Sequence, residues 1–411
     1  MRRTNPGNLL GTLAPAALVF LVTCNAAAGG FTETLPRGAW MLDVNYTYSW
    51  LNAAWDNDGN KGPLVDKIYR YEPGTGLQGI LTPYVDVTYQ LIVTQLQFGI
   101  LDDLTLGIGI PVILSTTVSP KFQWEPGDYM GYLGRAFSEN DFWQWAGSMG
   151  QPKPGNWSGN YGALSDIVLG IRWRFSDRIK QMKDSGFNLA FMLSGALPTG
   201  QPAFAEAILA SGSASWDLNS QGELNFHLSA DKTFKKELDD RLTLGLDLFY
   251  EVFFPHSYPT PTGVMNPLLL NYAPYVGAHY TLNPGDFLGF SFQVDVVAAK
   301  GPAYASWISG HDKTKAETYP GLLSLSMRYT FTYLFQSDWQ SDSSLWDWDR
   351  EKLWRPGYKN ALFAKLTMSF MRLGVPLQIY GAYKNLSLIP GKNTRSTDVV
   401  SAGIQLFLKF W

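Results

Sequence analysis

Between Ser215 and Asp231 the residues able to do chemistry come at every second position. Asp217, Asn219, Gln221, Glu223, Asn225 and His227 share one face of an extended chain, while Trp216, Leu218, Leu224, Phe226 and Leu228 share the other. A polar ladder of this kind cannot face lipid, where a charged side chain at midplane costs about 2–4 kcal/mol. It is expected to line a wet passage. By the same argument Arg172 and Arg174, Asp247 and Glu251, Gln293 and Asp295, Arg328 and Lys365 point inward. The expected lumen-lining set along the solute path is Arg172, Arg174, Glu223, Asn225, His227, Asp247, Glu251, Asp295 and Arg328. Both signs of charge occur, so the wall is mixed and not a one-sign ion filter.

Covalent chemistry has little support. Hydrolytic membrane enzymes need a Ser–His or Asp–His pair within reach of each other and of lipid or the external face. The four histidines are His227, His256, His279 and His311, and no local Ser/His motif accompanies any of them. His227 and His279 fall on polar faces; His256 and His311 fall in loops beside Pro255 and Asp312. No catalytic residue, metal site or cofactor is expected. There is no P-loop, and Gly107-Ile108-Gly109 sits within an alternating segment, where small residues ease packing. An acidic balance argues against nucleic acid.

The elements that position these residues repeat one pattern. Trp40, Leu42, Val44, Tyr46, Tyr48 and Trp50 are apolar, whereas Met41, Asp43, Asn45, Thr47 and Ser49 between them are mostly polar. Aromatic rings at both ends match a strand crossing a bilayer. Only 16% of residues are charged and 15% are aromatic, and no run of roughly 18 apolar residues follows the N-terminus, so helical spans are excluded. Alternation without apolar runs leaves closure into a barrel as the spanning solution.

Alternating segments lie near 40–51, 84–100, 104–116, 166–175, 187–198, 215–231, 241–254, 271–282, 286–299, 321–335, 359–373, 376–388 and 398–411. Asp102-Asp103, Asn283-Pro284-Gly285 and Gly374-Val375-Pro376 read as tight periplasmic turns, and residues 52–83 and 117–165 as long outer loops. Two turns at one end need an even number of strands between them. Three segments separate Asn283 from Gly374, so a further strand is expected within Ala303 to Ile308 or between Gln336 and Trp348. The expectation is an all-β, transmembrane, antiparallel barrel of fourteen strands, with twelve as the alternative.

The first residues read as a targeting segment. Arg2 and Arg3 form a basic region, Leu13 to Val22 an apolar one, and Ala26-Ala27-Ala28 a cleavage site before Gly29. Residues 1–28 are then a signal peptide and 29–411 a single barrel domain, bound for a bacterial outer membrane. Gly29 to Gly38 is too short for a substantial plug. Removal takes away two arginines and Cys24, the only cysteine, and moves the formal charge from −3 to −5. Leu21-Val22-Thr23-Cys24 offers a second, poorer reading as a lipoprotein site.

A cluster of rings follows: Phe122, Trp124, Trp143, Trp145 and Trp157 stand among Tyr129, Tyr132, Phe137, Phe142 and Tyr161. A second group holds Trp339, Trp346, Trp348 and Trp354. Flat apolar rings suit capture of hydrophobic small molecules at a mouth, and equally suit folding a long loop into a cap.

Three stretches carry a resemblance: Gln97-Phe98-Gly99-Ile100-Leu101-Asp102-Asp103-Leu104-Thr105-Leu106-Gly107, then Leu164 to Trp173, then Ala196-Leu197-Pro198-Thr199-Gly200. In this order they resemble the outer-membrane proteins grouped with the meta-pathway of phenol degradation, and Leu35-Pro36-Arg37-Gly38 is similar to that family's opening. The resemblance implies a channel for uptake of small hydrophobic or aromatic compounds, related in style to long-chain fatty-acid transporters. The alternative is a general polar porin or a structural or sensing barrel without a dedicated substrate. Expected partners are outer-membrane lipid, the solute, and the barrel-insertion machinery through Phe410 and Trp411. Ile404, Leu406, Leu408 and Phe410 form the outward set there, and Trp411 adds one residue.

Overall fold

The computed structural model describes residues 30–64, 67–72, 76–128, 134–148, 153, 155–159, 162–200, 222–235, 237–259, 279–283, 285–301, 320–341 and 356–409. Twelve antiparallel strands form one closed wall: β1 Ala39–Trp55, β2 Gly76–Leu101, β3 Leu104–Pro126, β4 Ile167–Trp173, β5 Phe187–Leu197, β6 Glu223–Thr233, β7 Leu242–Phe253, β8 Phe287–Ala299, β9 Leu323–Leu334, β10 Gly357–Ser369, β11 Leu377–Asn385 and β12 Thr394–Lys409. Each pairs with its sequence neighbours. The wall closes where β1 pairs with both β2 and β12, Val44 lying opposite Thr94 on one side and Ile404 on the other.

Twelve strands replace the fourteen expected, and the reason is a misplaced turn. The end at which β1 begins and β12 finishes is here called proximal, and the other distal. The turn after Asn283 lies at the distal end, because it leads into Phe287, which pairs with Glu251 near the distal end of β7. It joins β8 not to a barrel strand but to His279–Asn283, the middle of a small sheet with His256–Pro259 and Asp338–Ser341. Three strands between Asn283 and Gly374 are then correct, and no strand is missing. Residues 271–278 and 303–308 lie outside the described residues. Connections at the proximal end are not uniformly tight either: 174–186 carries a 3-10 turn and the short helix Lys180–Ser185.

The two faces sort as the alternation requires. Val44, Tyr46, Leu228, Leu246, Leu248, Phe292, Met327, Leu366, Ile404 and Leu408 are exposed on the outside, whereas Asp43, Thr47, His227, Asp247, Ser291 and Lys365 are buried inside. An inside-out protein of this kind is what lipid selects.

β2 and β3 are 26 and 23 residues long, far beyond the roughly 9–11 that cross the membrane core. Along both, the polarity of the faces inverts. In the proximal half of β2, Leu96 and Phe98 face out and Gln95 and Gln97 face in; in the distal half, Asp86 and Thr88 face out and Val85 and Val87 face in. In β3 a register shift between Gln90 and Leu91 of its partner bulges Leu114 and exchanges odd and even positions, so Lys121 and Gln123 are exposed while Phe122 and Trp124 turn to the interior side. This is why the sequence reading ended a strand near 116 and began a loop at 117. The outside has passed from lipid into water, where Lys121 pairs with Asp86 at 2.9 Å.

Arginine at Leu246, on the lipid belt, should cost about 2–4 kcal/mol of folding stability, whereas arginine at Gln123, on the outer face of the projecting hairpin, should cost little. Heat-modifiable mobility on a gel reads the folded barrel directly. Equal loss at both positions would show that the hairpin does not leave the membrane where its polarity inverts.

Candidate functional site

The interior face builds the site. On β1, β10, β11 and β12 a polar network runs across four strands. Asp43 accepts hydrogen bonds from Tyr380 at 2.9 Å and Gln405 at 2.8 Å, Asn45 donates to the Tyr380 hydroxyl at 2.7 Å, and Lys365 lies 4.2 Å from the Tyr380 ring centroid. Gly403 is needed there, since a Cβ would stand 2.4 Å from the Tyr380 ring.

Charges divide by strand. Glu223 and Asp231 on β6, Asp247 and Glu251 on β7 and Asp295 on β8 make an acidic wall; Arg328 on β9, Lys359 and Lys365 on β10 and Lys384 on β11 make a basic one. Adjoining walls of opposite sign lower the cost of removing each charge from water. Lys359 also sits 4.6 Å from the Phe287 ring.

Two apolar clusters stand in the distal half of the interior. Leu51, Val85, Val87, Tyr89 and Val118 form one and Phe253, Phe287 and Leu334 another. The second is set among charges, Glu223 pairing across the ladder with Phe253 and Glu251 with Phe287.

A short segment crosses the proximal end inside the barrel. Gly30 donates its N–H to Asp295, Phe31 and Thr32 donate theirs to the two oxygens of Asp231, and the Glu33 carbonyl accepts from Arg172 at 3.1 Å. Leu35 N–H donates to Thr105 Oγ1 at 2.8 Å, and Gly38 N–H to the Gly99 carbonyl. Two wall glycines make room for it: a Cβ at Gly245 would lie 2.8 Å from the Phe31 ring, and one at Gly99 would lie 2.1 Å from the Pro36 carbonyl. The Arg328 guanidinium covers both Phe31 and Phe363, at 5.2 and 4.8 Å. The segment from Gly30 to Gly38, too short for a domain, is enough for a strap, because the wall is shaped to receive it.

At the distal end a helix, α1 Glu139–Ser148, packs on the interior side of the projecting hairpin. Phe142 and Ala146 are buried against Leu81, with Phe122, Trp124, Phe137, Trp143 and Trp145 around them. Ser138 and Asp141 cap the helix reciprocally, the Asp141 N–H reaching the Ser138 hydroxyl and the Ser138 N–H reaching Asp141 Oδ2. Arg135 forks onto Asp141 at 2.6 and 2.8 Å, Trp124 Nε1 donates to the Phe137 carbonyl, and the Arg70 guanidinium stacks 4.1 Å from Trp145. The fork from Arg135 and the Ser138 hydroxyl hold the Asp141 carboxyl well below the usual carboxylate range. The hydrogen bond from Lys153 lowers Glu139 in the same way.

Of the expected wall residues, Arg172, Glu223, Asn225, His227, Asp247, Glu251 and Asp295 are buried on the interior face, and Arg328 is half-buried there. Arg174 is not on the wall. β4 ends at Trp173, and Arg174 caps the following 3-10 turn, where it forks onto Asp177 at 2.9 and 2.8 Å. Among the expected mouth rings, Phe122, Trp124, Trp143 and Trp145 pack on one another beneath the cap, and Trp157 pairs by its backbone with Val118. Trp346, Trp348, Trp354, Phe410 and Trp411 lie outside the described residues.

Sequence reasoning missed the strap and one Asp–His pair. His227 Nδ1 lies 2.9 Å from Asp247 Oδ2, and Ser229 donates to Asp247 Oδ1 at 2.6 Å. The partners stand twenty residues apart on adjacent strands, and only the pairing of Ser229 with Asp247 makes them neighbours. The pair is enclosed in the interior and reaches neither lipid nor the external face. Among the described residues no group of histidine, cysteine and carboxylates could hold a metal.

No family model matches the chain, and no curated protein matches it. Among solved structures, an outer membrane channel from Pseudomonas putida F1 is similar over 93% of this chain and 100% of its own, with a TM-score of 0.52 at 12% identity. The translocator domain of an autotransporter from Neisseria meningitidis covers 91% of this chain and 90% of its own at TM-score 0.39 and 8% identity. The Pseudomonas putida toluene transporter TodX covers 92% and 90% at TM-score 0.32 and 10% identity. The first of these likenesses establishes the fold as that of outer-membrane barrels.

Valine at Gly245 should expel Phe31 and loosen the strap. The expected readouts are a larger ion conductance in planar bilayers and new protease cleavage near residue 31; unchanged conductance would mean that the strap does not close the proximal end. For the cap, the sign of the titration is set by the two lowered carboxylates. Their stabilisation is complete at neutral pH and is lost as pH falls below about 4. The Trp143 emission, taken as the difference between wild type and Trp143→Phe, should shift to the red on acidification while the barrel stays folded. Asp141→Asn should show part of that shift already at neutral pH, and an unaltered spectrum would remove Asp141 from the cap's stability.

Proposed function

We propose that the protein is an outer-membrane channel for uptake of small hydrophobic or aromatic compounds, with its distal end outside the cell and its proximal end in the periplasm. The observation that carries this reading is the apolar matter gathered in the distal half: an aromatic cap, with the clusters of Val85, Val87 and Val118 and of Phe253 and Phe287 on the interior wall, while the strap closes the proximal end. An apolar solute leaving water gains roughly 25 cal/mol for each Å² it buries. It therefore concentrates at the cap and at these clusters. The likeness in motif to the phenol-degradation outer-membrane proteins supports an aromatic solute class.

Passage needs two openings. The cap must lift or part at the distal end, and the strap must leave the Asp231–Asp295 wall at the proximal end. Both are closures made by a few hydrogen bonds and one packed ring cluster, the kind of contact that opens on fast timescales.

A second reading has its own observation. Acidic β6–β8 beside basic β9–β11 lines the lumen with charge of both signs, which suits a general porin passing polar solutes. The two readings separate in one experiment. Removing rings at Phe122, Trp124, Trp143 and Trp145 should lower uptake of labelled toluene by cells far more than it changes ion conductance in bilayers. If uptake persists, or changes only in proportion to conductance, the porin reading takes its place.

A further inference from the structure

Two polar atoms on the interior face of β6 carry no hydrogen bond from the protein: Asn225 Oδ1 and His227 Nε2. Asn225 is 2% exposed and His227 6%. They occupy successive inward positions of β6, about 7 Å apart along the strand. A buried acceptor left without a donor is costly, so such atoms mark a place where something else donates.

The surroundings define what that donor is. His227 Nδ1 faces Asp247 Oδ2, and in the neutral imidazole with its proton on Nδ1 the Nε2 atom is an acceptor. The Asn225 amide nitrogen is spent on Glu223 Oε1 at 2.9 Å, so its Oδ1 too can only accept. Glu251 stands opposite Asn225 across the β6–β7 ladder. Glu223, Glu251 and Asp247 stand around the two acceptors and Lys359 lies over the Phe287 ring; a carboxylate anion brings no donor to either acceptor. Beside them the site is aromatic. The Phe249 ring lies 5.7 Å from His227 and covers Gly289, where a Cβ would come within 2.3 Å of it, and Phe253 meets Phe287 edge-on at 4.7 Å just above.

We propose that Asn225 and His227 are a selection point for neutral solutes that carry a hydroxyl donor on an apolar body. The hydroxyl donates to His227 Nε2 or Asn225 Oδ1, and the body lies against Phe249, Phe253 and Phe287. Asp247 and Ser229 are positioning residues, fixing the imidazole without touching the solute. The assignment rests on the channel reading above, and it names the chemistry by which that channel prefers one apolar molecule over another.

The test uses three probes with one ring and different heads: benzyl alcohol, toluene and benzoate. Cells making the wild-type protein should take up benzyl alcohol in preference to toluene, and benzoate least. The Asn225→Leu/His227→Leu variant should lose about tenfold in benzyl alcohol uptake, the worth of one or two hydrogen bonds to buried acceptors, while toluene uptake holds. A ratio unchanged in the variant overturns the selection point, because the two acceptors are then satisfied by water alone. Uptake of all three probes no greater with the wild-type protein than in cells lacking it has a different meaning: it removes the channel reading itself. Should the double variant fail to fold on the gel, the wild-type protein in detergent decides. Its His227 Nε2 or Asn225 side-chain amide resonance should move on addition of benzyl alcohol and stay still with toluene, and no movement of either resonance overturns the proposal.

Discussion

A backbone amide that enters lipid without a partner costs several kcal/mol, and a flat sheet always has two edges of them. The pairing of β1 with β12 removes both edges at once, and the rest of the architecture follows from that closure. Once the wall is a ring, every side chain points either to lipid or to the enclosed interior. Polar residues have one place to go. The ladder of Glu223, Asn225, His227 and Asp231 is therefore as much a product of the closed ring as of its own alternation.

An enclosed interior sets its own conditions. Charges there have lost most of their water, so each survives beside a partner or opposite the other sign. Asp43 answers to Tyr380 and Gln405, Asp247 to His227 and Ser229, and Asp231 to the backbone of Phe31 and Thr32. The last case makes the strap part of the wall's electrostatics. If the strap leaves, Asp231 and Asp295 lose donors and regain water, so closure of the proximal end and hydration of the acidic wall are one event. Gly245 and Gly99 hold the space in which that exchange happens.

The projecting hairpin obeys the same physics with its surroundings reversed. Where β2 and β3 leave the membrane, the outside becomes water, and the outer face turns polar while the inner face turns apolar. An apolar inner face open to water would be poorly stable, and α1 covers it with Phe142 and the tryptophans around it. The aromatic cluster is thus the small core of the extension, and in the proposed channel it also stands at the threshold of the lumen. Both roles come from one requirement, that rings leave water.

The sequence by itself determined the fold class, the facing of the strands and most of the interior wall. Alternation with period two is a local property, and lipid on one side makes it strict, so Val44, Leu246 and Ile404 could be assigned outward and Asp43, Glu223 and Asp247 inward from spacing alone. It did not determine which end of the barrel a turn belongs to. The turn after Asn283 looks the same whether it joins two wall strands or leads out of a distal sheet, and that choice made the difference between fourteen strands and twelve. Nor could it carry the pattern through the bulge at Leu114, because one extra residue exchanges the faces and the change from lipid to water exchanges their polarity. The strap, the pairing of His227 with Asp247 and the displacement of Arg174 into a turn were decided by tertiary structure only. Each depends on which residues of distant strands stand at one height in the ring, and strand register is a property of the closed sheet, not of any segment within it.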